Sequence, residues 1–286
     1  MGVAQHGDLP VIPSNRVDDL HNLDQVDAAD LVLFMAGNQF MVMGDLLEAF
    51  RRKYPEVENI YYETLPPGLE LKQILAGGAV FGDRVLDVVP DIYASVNRDA
   101  MKRLEGEGFI SGADSILYLH NRLVLMVKSG NPLKIESVAD LGRDEVRISQ
   151  PSAVYEDIAN YIVQMYREAG GEDLANRILE VKRAEGTTLF TVVHHRETPL
   201  RIMKGTADVG PVWATEVVHA QKEGLAVDAV DVGARLDQSD KISYYICRLK
   251  NSPRRENGDN FLKFITSPEG QCIYQSHGFV PHFPTA

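Results

Sequence analysis

Apolar residues along this chain fall in short solid blocks, separated by stretches in which they recur every three or four positions. That is the pattern of buried strands alternating with amphipathic helices. Leu31 to Ala36 is apolar throughout, as a strand covered on both faces requires. Met43, Leu46, Leu47 and Phe50 then share one helical face, and Pro55 stops that helix. Val57 to Leu65 reads as a strand, Pro66-Pro67-Gly68 opens a helix through Leu71, Ile74 and Leu75, and Gly77-Gly78 closes it. Val85 to Ala94 is predicted as the next strand and Asp99 to Leu104 as helical. The same grammar continues with strands at Leu123 to Val127, Val146 to Ser149, Val209 to Trp213 and Ile242 to Leu249. Helices are predicted through Ile158, Ile162, Met165 and Tyr166, ending at Gly170-Gly171, and over Glu216 to Glu223. A last helix spans about Asp259 to Gln275, broken near Pro268. Residues 1 to 29 have weak periodicity and read as a mobile or loosely docked tail.

At 286 residues the chain is long enough for about two domains with separate cores. With 29 Lys+Arg against 41 Asp+Glu, the net charge of −12 argues against a nucleic-acid partner, which needs a clustered basic footprint. No apolar run is long enough to cross a bilayer, and Met1 to Pro13 lacks the basic start and apolar segment of a leader. Two cysteines, Cys247 and Cys272, exclude a disulfide scaffold and a thiolate-only zinc site. They read as two buried apolar thiols, with a single bridge as the alternative. The phosphate loop, the spaced-glycine dinucleotide fingerprint, the nucleophile elbow and the zincin helix motif are all missing from the sequence. Binding is therefore expected over catalysis, with no cofactor.

Several residues suit a ligand site. Asn38 and Gln39 directly follow a buried strand, where α/β proteins place ligands, although Asn38 also suits a helix N-cap. Ser152, Ala153, Val154 and Tyr155 open a helix after Pro151, and Ser152 reads equally as its cap. His194-His195-Arg196-Glu197 is either a polar loop before a helix, a set of ligand contacts, or part of a metal site lacking a third ligand. Trp213, the single tryptophan, suits a pocket wall or a core. Tyr61-Tyr62 and Tyr244-Tyr245 alternate faces within strands, so at most one of each pair lines a cleft.

Taken in order, Leu31 to Asn38, Pro90 to Ser95, His120 to Leu125, Gly205-Thr-Ala-Asp-Val-Gly210 with Trp213, and Phe261 to Phe279 resemble the periplasmic solute-binding proteins of ABC importers. The resemblance is to their molybdate/tungstate-binding branch and covers about residues 30 to 280. It implies an α/β, two-lobed type II periplasmic-binding fold, with a mixed sheet in each lobe and crossover hinge strands. One lobe would hold 30–125 and 240–286, the other 126–239. The implied function is non-catalytic capture of a small solute, an oxyanion such as molybdate or tungstate, in an interlobe cleft. The protein would act as a periplasmic or otherwise extracytoplasmic monomer delivering to a membrane permease. The implied contacts are Asn38, Gln39, Gly68, Ser152, Ala153, Val154, Tyr155, His194, His195 and Trp213. The chain departs from the branch where Asn38-Gln39 replaces a serine, where Pro66-Pro67-Gly68 replaces Ser-Gly, and where His194-His195 replaces a small or apolar contact. Two alternatives stand beside this reading. One is a binding protein for a divalent transition metal or chelate, using His194, His195 and Glu63; the other is an enzyme on the same scaffold.

Overall fold

The computed structural model describes residues 9–96, 98–154, 156, 158–192 and 196–285. Its elements in chain order begin with β1 (Leu20–His21), β2 (Leu31–Phe34), α1 (Phe40–Lys53), β3 (Ile60–Glu63), α2 (Pro67–Ala76), β4 (Ala79–Phe81), β5 (Arg84–Leu86), β6 (Ile92–Ser95), α3 (Arg98–Gly106) and β7 (Ile116–His120). They continue with β8 (Leu123–Lys128), β9 (Ile148–Gln150), α4 (Ile158–Asn176), α5 (Lys182–Ala184), β10 (Thr188–Phe190), α6 (Glu197–Lys204), β11 (Val209–Trp213), α7 (Ala214–Lys222) and β12 (Val227–Asp231). The chain closes with β13 (Ser243–Arg248), α8 (Arg255–Ile265), α9 (Pro268–Ser276) and β14 (Val280–Pro281).

Two compact units result, the first built from 1–119, 243–276 and 281–286 and the second from 120–242 and 277–280. Each has its own mixed sheet, the first ordered β1-β3-β2-β6-β13-β7-β14 and the second β10-β9-β11-β8-β12. In the first unit β2 lies parallel to β3 and β6, with Phe34 opposite Glu63 and Tyr93, while β13 runs antiparallel to β6. All four residues of β2 are buried, as its unbroken apolar run requires. In the second unit β9 is parallel to β10 and β11, and β8 is antiparallel to β11 and β12.

Several local expectations change. Within the segment read as a tail, the described part is docked: Ile12 is 1% exposed and packs with Leu20, Leu65, Ala79 and Leu86. Val80 N–H donates to the Pro10 carbonyl, and Ile12 N–H to that of Val80 (both 2.8–2.9 Å). Too few apolar residues mark this stretch for periodicity to show. The predicted strand over Val85 to Ala94 is two strands, β5 and β6. Pro90 cannot extend a ladder, and the Asp91 carboxylate instead takes the Val32 N–H at 2.7 Å. Gly170 and Gly171 leave helical geometry, yet helical residues continue on both sides within α4. The final helix divides at Pro268 into α8 and α9. Cys247 is buried, but Cys272 is exposed and free, because Gly270, Gln271 and Tyr274 form the buried face of α9.

In the second unit, Asp208 takes Arg147 in a two-pronged ion pair (2.6 and 2.9 Å) and also accepts the Arg147 backbone N–H. Gly210 lies so close to the Ser149 carbonyl that a Cβ there would sit 2.9 Å from it. The Gly205-to-Gly210 segment thus fixes β9 against β11.

Because Ile12 fills a closed pocket, Ile12→Ala is expected to lower unfolding free energy by about 2–5 kcal/mol in denaturant titration. A floating tail would show no change.

Candidate functional site

The carboxyl end of β2 carries the first candidate residues. Gly37 starts a short 3-10 turn ahead of α1 and approaches the Thr64–Leu65 backbone so closely that a Cβ would sit 3.1 Å from the Thr64 carbonyl. Asn38 and Gln39 are both buried. Neither caps α1. The Asn38 amide instead donates to the Tyr244 hydroxyl, and Gln39 Oε1 accepts from Tyr118 and Tyr274 at 2.9 and 3.1 Å. Asn38 Oδ1 and Gln39 Nε2 are enclosed with no hydrogen-bond partner among the described residues. The tyrosine hydroxyls of Tyr118 and Tyr274 are held neutral, since burial pushes their ionisation upward.

Gly68 lies in the first turn of α2, and a Cβ there would meet open space. The loop leading to it is tied down from several sides. His21 Nε2 lies 3.0 Å from Thr64 Oγ1, the Leu65 N–H donates to Glu70 Oε1 at 3.2 Å, and the Tyr93 hydroxyl donates to the Pro67 carbonyl at 2.8 Å. Beneath the loop, Glu63 Oε1 accepts from the Tyr61 hydroxyl (2.7 Å) and the Gln73 amide (3.0 Å). These bonds give Glu63, the carboxylate of the metal alternative, a place in the core of its own unit. Burial pushes its carboxyl up to about 7, and Glu70 is also raised well above the ordinary carboxylate range, by its own burial and by the Glu63 charge. Among the described residues no cluster of three or more His, Cys, Asp or Glu is placed to hold a metal ion.

In the second unit the described residues around Ser152 are tied down by groups outside the turn. Ser152 is buried, its N–H donates to Thr191 Oγ1 at 3.1 Å, and its own hydroxyl accepts the Val154 N–H at 3.3 Å. The Thr191 hydroxyl donates to Glu156, and Tyr166 to Gln150 Oε1 at 2.6 Å. Ala153 is exposed and Val154 is 79% exposed. Trp213 is buried, with its ring tilted against Tyr161 at 5.9 Å between centroids. Tyr155, His194 and His195 lie outside the described residues.

The two tyrosine pairs do alternate. Tyr61 faces Glu63 while Tyr62 stacks on His21, and buried Tyr244 meets Asn38 while half-buried Tyr245 packs against the core. Sequence reading missed Tyr118, Tyr274, Gln73 and Glu70. The Tyr61-x-Glu63 spacing, two residues on one strand face, was the available signal for the buried carboxyl.

This chemistry is that of a binding platform: neutral donors and acceptors at strand ends, in two α/β units. The residues 31–280 match the family model described as bacterial extracellular solute-binding protein, and the chain belongs to that family. It is 25% identical over 194 residues to the Bacillus subtilis lipoprotein YvgL, whose name assigns it to substrate binding for an ABC transporter. That match spans 66% of each chain, just under two thirds. It is 23% identical over 216 residues, 74% of each chain, to the molybdate-binding protein ModA of Mycobacterium tuberculosis. Among solved structures it is similar to the periplasmic molybdate-binding protein of Azotobacter vinelandii. That likeness has a TM-score of 0.66 at 16% identity and covers 87% of this chain and 98% of that one. The fold is the two-lobed α/β fold of periplasmic binding proteins. The family and these relatives are binding proteins, not enzymes.

Glu63 supplies a pH signature. Its carboxyl is raised in the folded state, so its contribution to stability is full below the ordinary carboxylate range and is lost as pH climbs to about 7. Unfolding free energy should fall by a few kcal/mol over that window, and Glu63→Gln should flatten the fall; denaturant titration across pH reads both. Gln39→Leu removes the acceptor of the Tyr118 hydroxyl and should cost about 1–3 kcal/mol, read by thermal melting against Tyr118→Phe.

Proposed function

We propose that this protein captures a small tetrahedral oxyanion of the molybdate, tungstate or sulfate kind outside the cytoplasm and delivers it to an ABC permease. Asn38, Gln39 and the Gly68 helix start in the first unit, with Ser152, Ala153, Val154, Tyr155, His194, His195 and Trp213 in the second, are its proposed contacts. The observation that carries the reading is Gln39 Nε2, a neutral donor wholly enclosed at the entry to α1 and without a partner among the described residues. An amide donor beside a helix start suits an anion that is bound by hydrogen bonds and helix dipoles rather than by a fixed counter-charge. The names of the mycobacterial and Azotobacter relatives point to the same chemistry.

Among the described residues no helix is long and apolar enough to cross a membrane. Delivery to a membrane permease is the role that membership of an extracellular solute-binding family favours.

The test is a calorimetric and thermal-shift panel of molybdate, tungstate, sulfate, phosphate, small carboxylates, zinc, copper and nickel. An oxyanion at about 100 times its dissociation constant should stabilise the fold by about 2.7 kcal/mol, and Gln39→Leu should weaken it by about tenfold or more. Trp213 fluorescence gives a second readout, as the chain has one tryptophan. Stabilisation by metals alone would replace the oxyanion with the metal alternative; stabilisation by carboxylates alone would assign an organic anion.

A further inference from the structure

Two carboxyl groups sit directly behind the Thr64–Gly68 loop, and both are fully enclosed. Each has one oxygen in use: Glu63 Oε1 takes Tyr61 and Gln73, and Glu70 Oε1 takes the Leu65 N–H. Their other oxygens, Glu63 Oε2 and Glu70 Oε2, have no partner among the described residues, and neither has Gln73 Oε1. Three enclosed acceptors with no donor between them lack one thing, which is hydrogen. A carboxyl carrying its proton becomes a donor at that point, whereas two bare carboxylates side by side repel.

The surrounding charges do not supply a substitute. Tyr61 and Tyr93 donate to Glu63 and to the Pro67 carbonyl. Asp19, ahead of β1, adds further negative charge toward Glu70 and is itself paired with Arg16 at 3.3 Å. Arg84 on β5 acts on Tyr61 and is exposed. His21 on β1 contacts Thr64 rather than either carboxyl.

We propose that Glu63 and Glu70 hold a proton between them, and that Glu70 is a positioning residue whose protonation state sets how tightly the Thr64–Gly68 loop holds an anion. The proposal rests on the oxyanion reading above. With the proton in place, Glu70 fixes the Leu65 N–H and the start of α2 while the pair carries one negative charge rather than two. When it leaves, a second full negative charge appears behind the helix start, opposing both the helix dipole and the bound anion. Affinity then falls as pH rises, in the window that the upward shift of both groups marks out.

The experiment uses the full chain with two readouts. Molybdate and sulfate affinities are measured by calorimetry at about pH 6, 7 and 8 for wild type, Glu70→Gln, Glu63→Gln and His21→Asn. Wild type should weaken by about tenfold across the range, the scale of one added charge roughly 10 Å away. Glu70→Gln should lose that slope, and His21→Asn should keep it. Separately, difference infrared spectra of the ligand-free protein should show a protonated-carboxyl C=O stretch at neutral pH that is diminished in both Glu variants. This second readout needs no ligand and, in wild type, no variant that must fold. Absence of the band in wild type, or its persistence at full strength in both variants, overturns the shared proton. A slope that survives in the Glu variants and vanishes in His21→Asn assigns the effect to His21 and overturns the proposal. If no oxyanion binds at any pH while the band behaves as expected, the oxyanion reading fails and the link to affinity falls with it, leaving the carboxyl pair intact.

Discussion

Glu63 lies at the end of β3, fully buried, and among the described residues its carboxyl takes a tyrosine hydroxyl and a glutamine amide. An ionised carboxylate in such surroundings costs several kcal/mol, so the position is stable only when the charge is neutralised or very well solvated by dipoles. Much of the first unit follows from that constraint. Tyr61 must share the strand face of Glu63, α2 must present Gln73 to it, and Glu70 must lie close by, where it also ties down Leu65. The loop that carries Gly68 is thereby set by groups the sequence scatters across β1, β3, α2 and β6.

Asp91, directly ahead of β6, shows the contrasting solution. It too is fully buried, but it accepts from Val32 N–H, Ser252 hydroxyl and Arg254 N–H, and the Arg254 guanidinium lies 3.4 Å off. Its counter-charge is built in, and it fastens the segment after β13 to β2. The second unit uses the same device at its surface edge, where Arg147 and Asp208 join β9 to the turn before β11. Fixed ion pairs thus hold the framework. The candidate ligand loops instead rest on amides, hydroxyls, backbone groups and the carboxyls of Glu70 and Glu156.

The alternation of strands and helices was legible because period-2 and period-3.6 patterns are local consequences of burial on sheet faces and helix stripes. β2, α1, α2, β8, β11 and β13 all stand within a residue or three of where the pattern places them. β10 and β12 were not seen: Thr188-Leu-Phe190 is three residues long, and Val227 to Asp231 alternates with aspartates as an exposed edge strand does. The docking of Ile12 was hidden for a similar reason, since one buried side chain carries no period.

Of the candidate site, the sequence by itself determined that Asn38, Gln39 and Gly68 would stand at the carboxyl end of a buried strand and at a helix start. It also determined the acidic balance and the order of motifs that place the chain among solute-binding proteins. Only the tertiary structure decided what those groups touch. Asn38 turns to Tyr244, 206 residues away, rather than capping its own helix. Gln39 is gripped by Tyr118 and Tyr274, and an acid in the first turn of α2 becomes a buried partner of another acid. Hydrogen-bond partners of enclosed polar groups come from wherever packing delivers a donor or acceptor, and no local period encodes that choice.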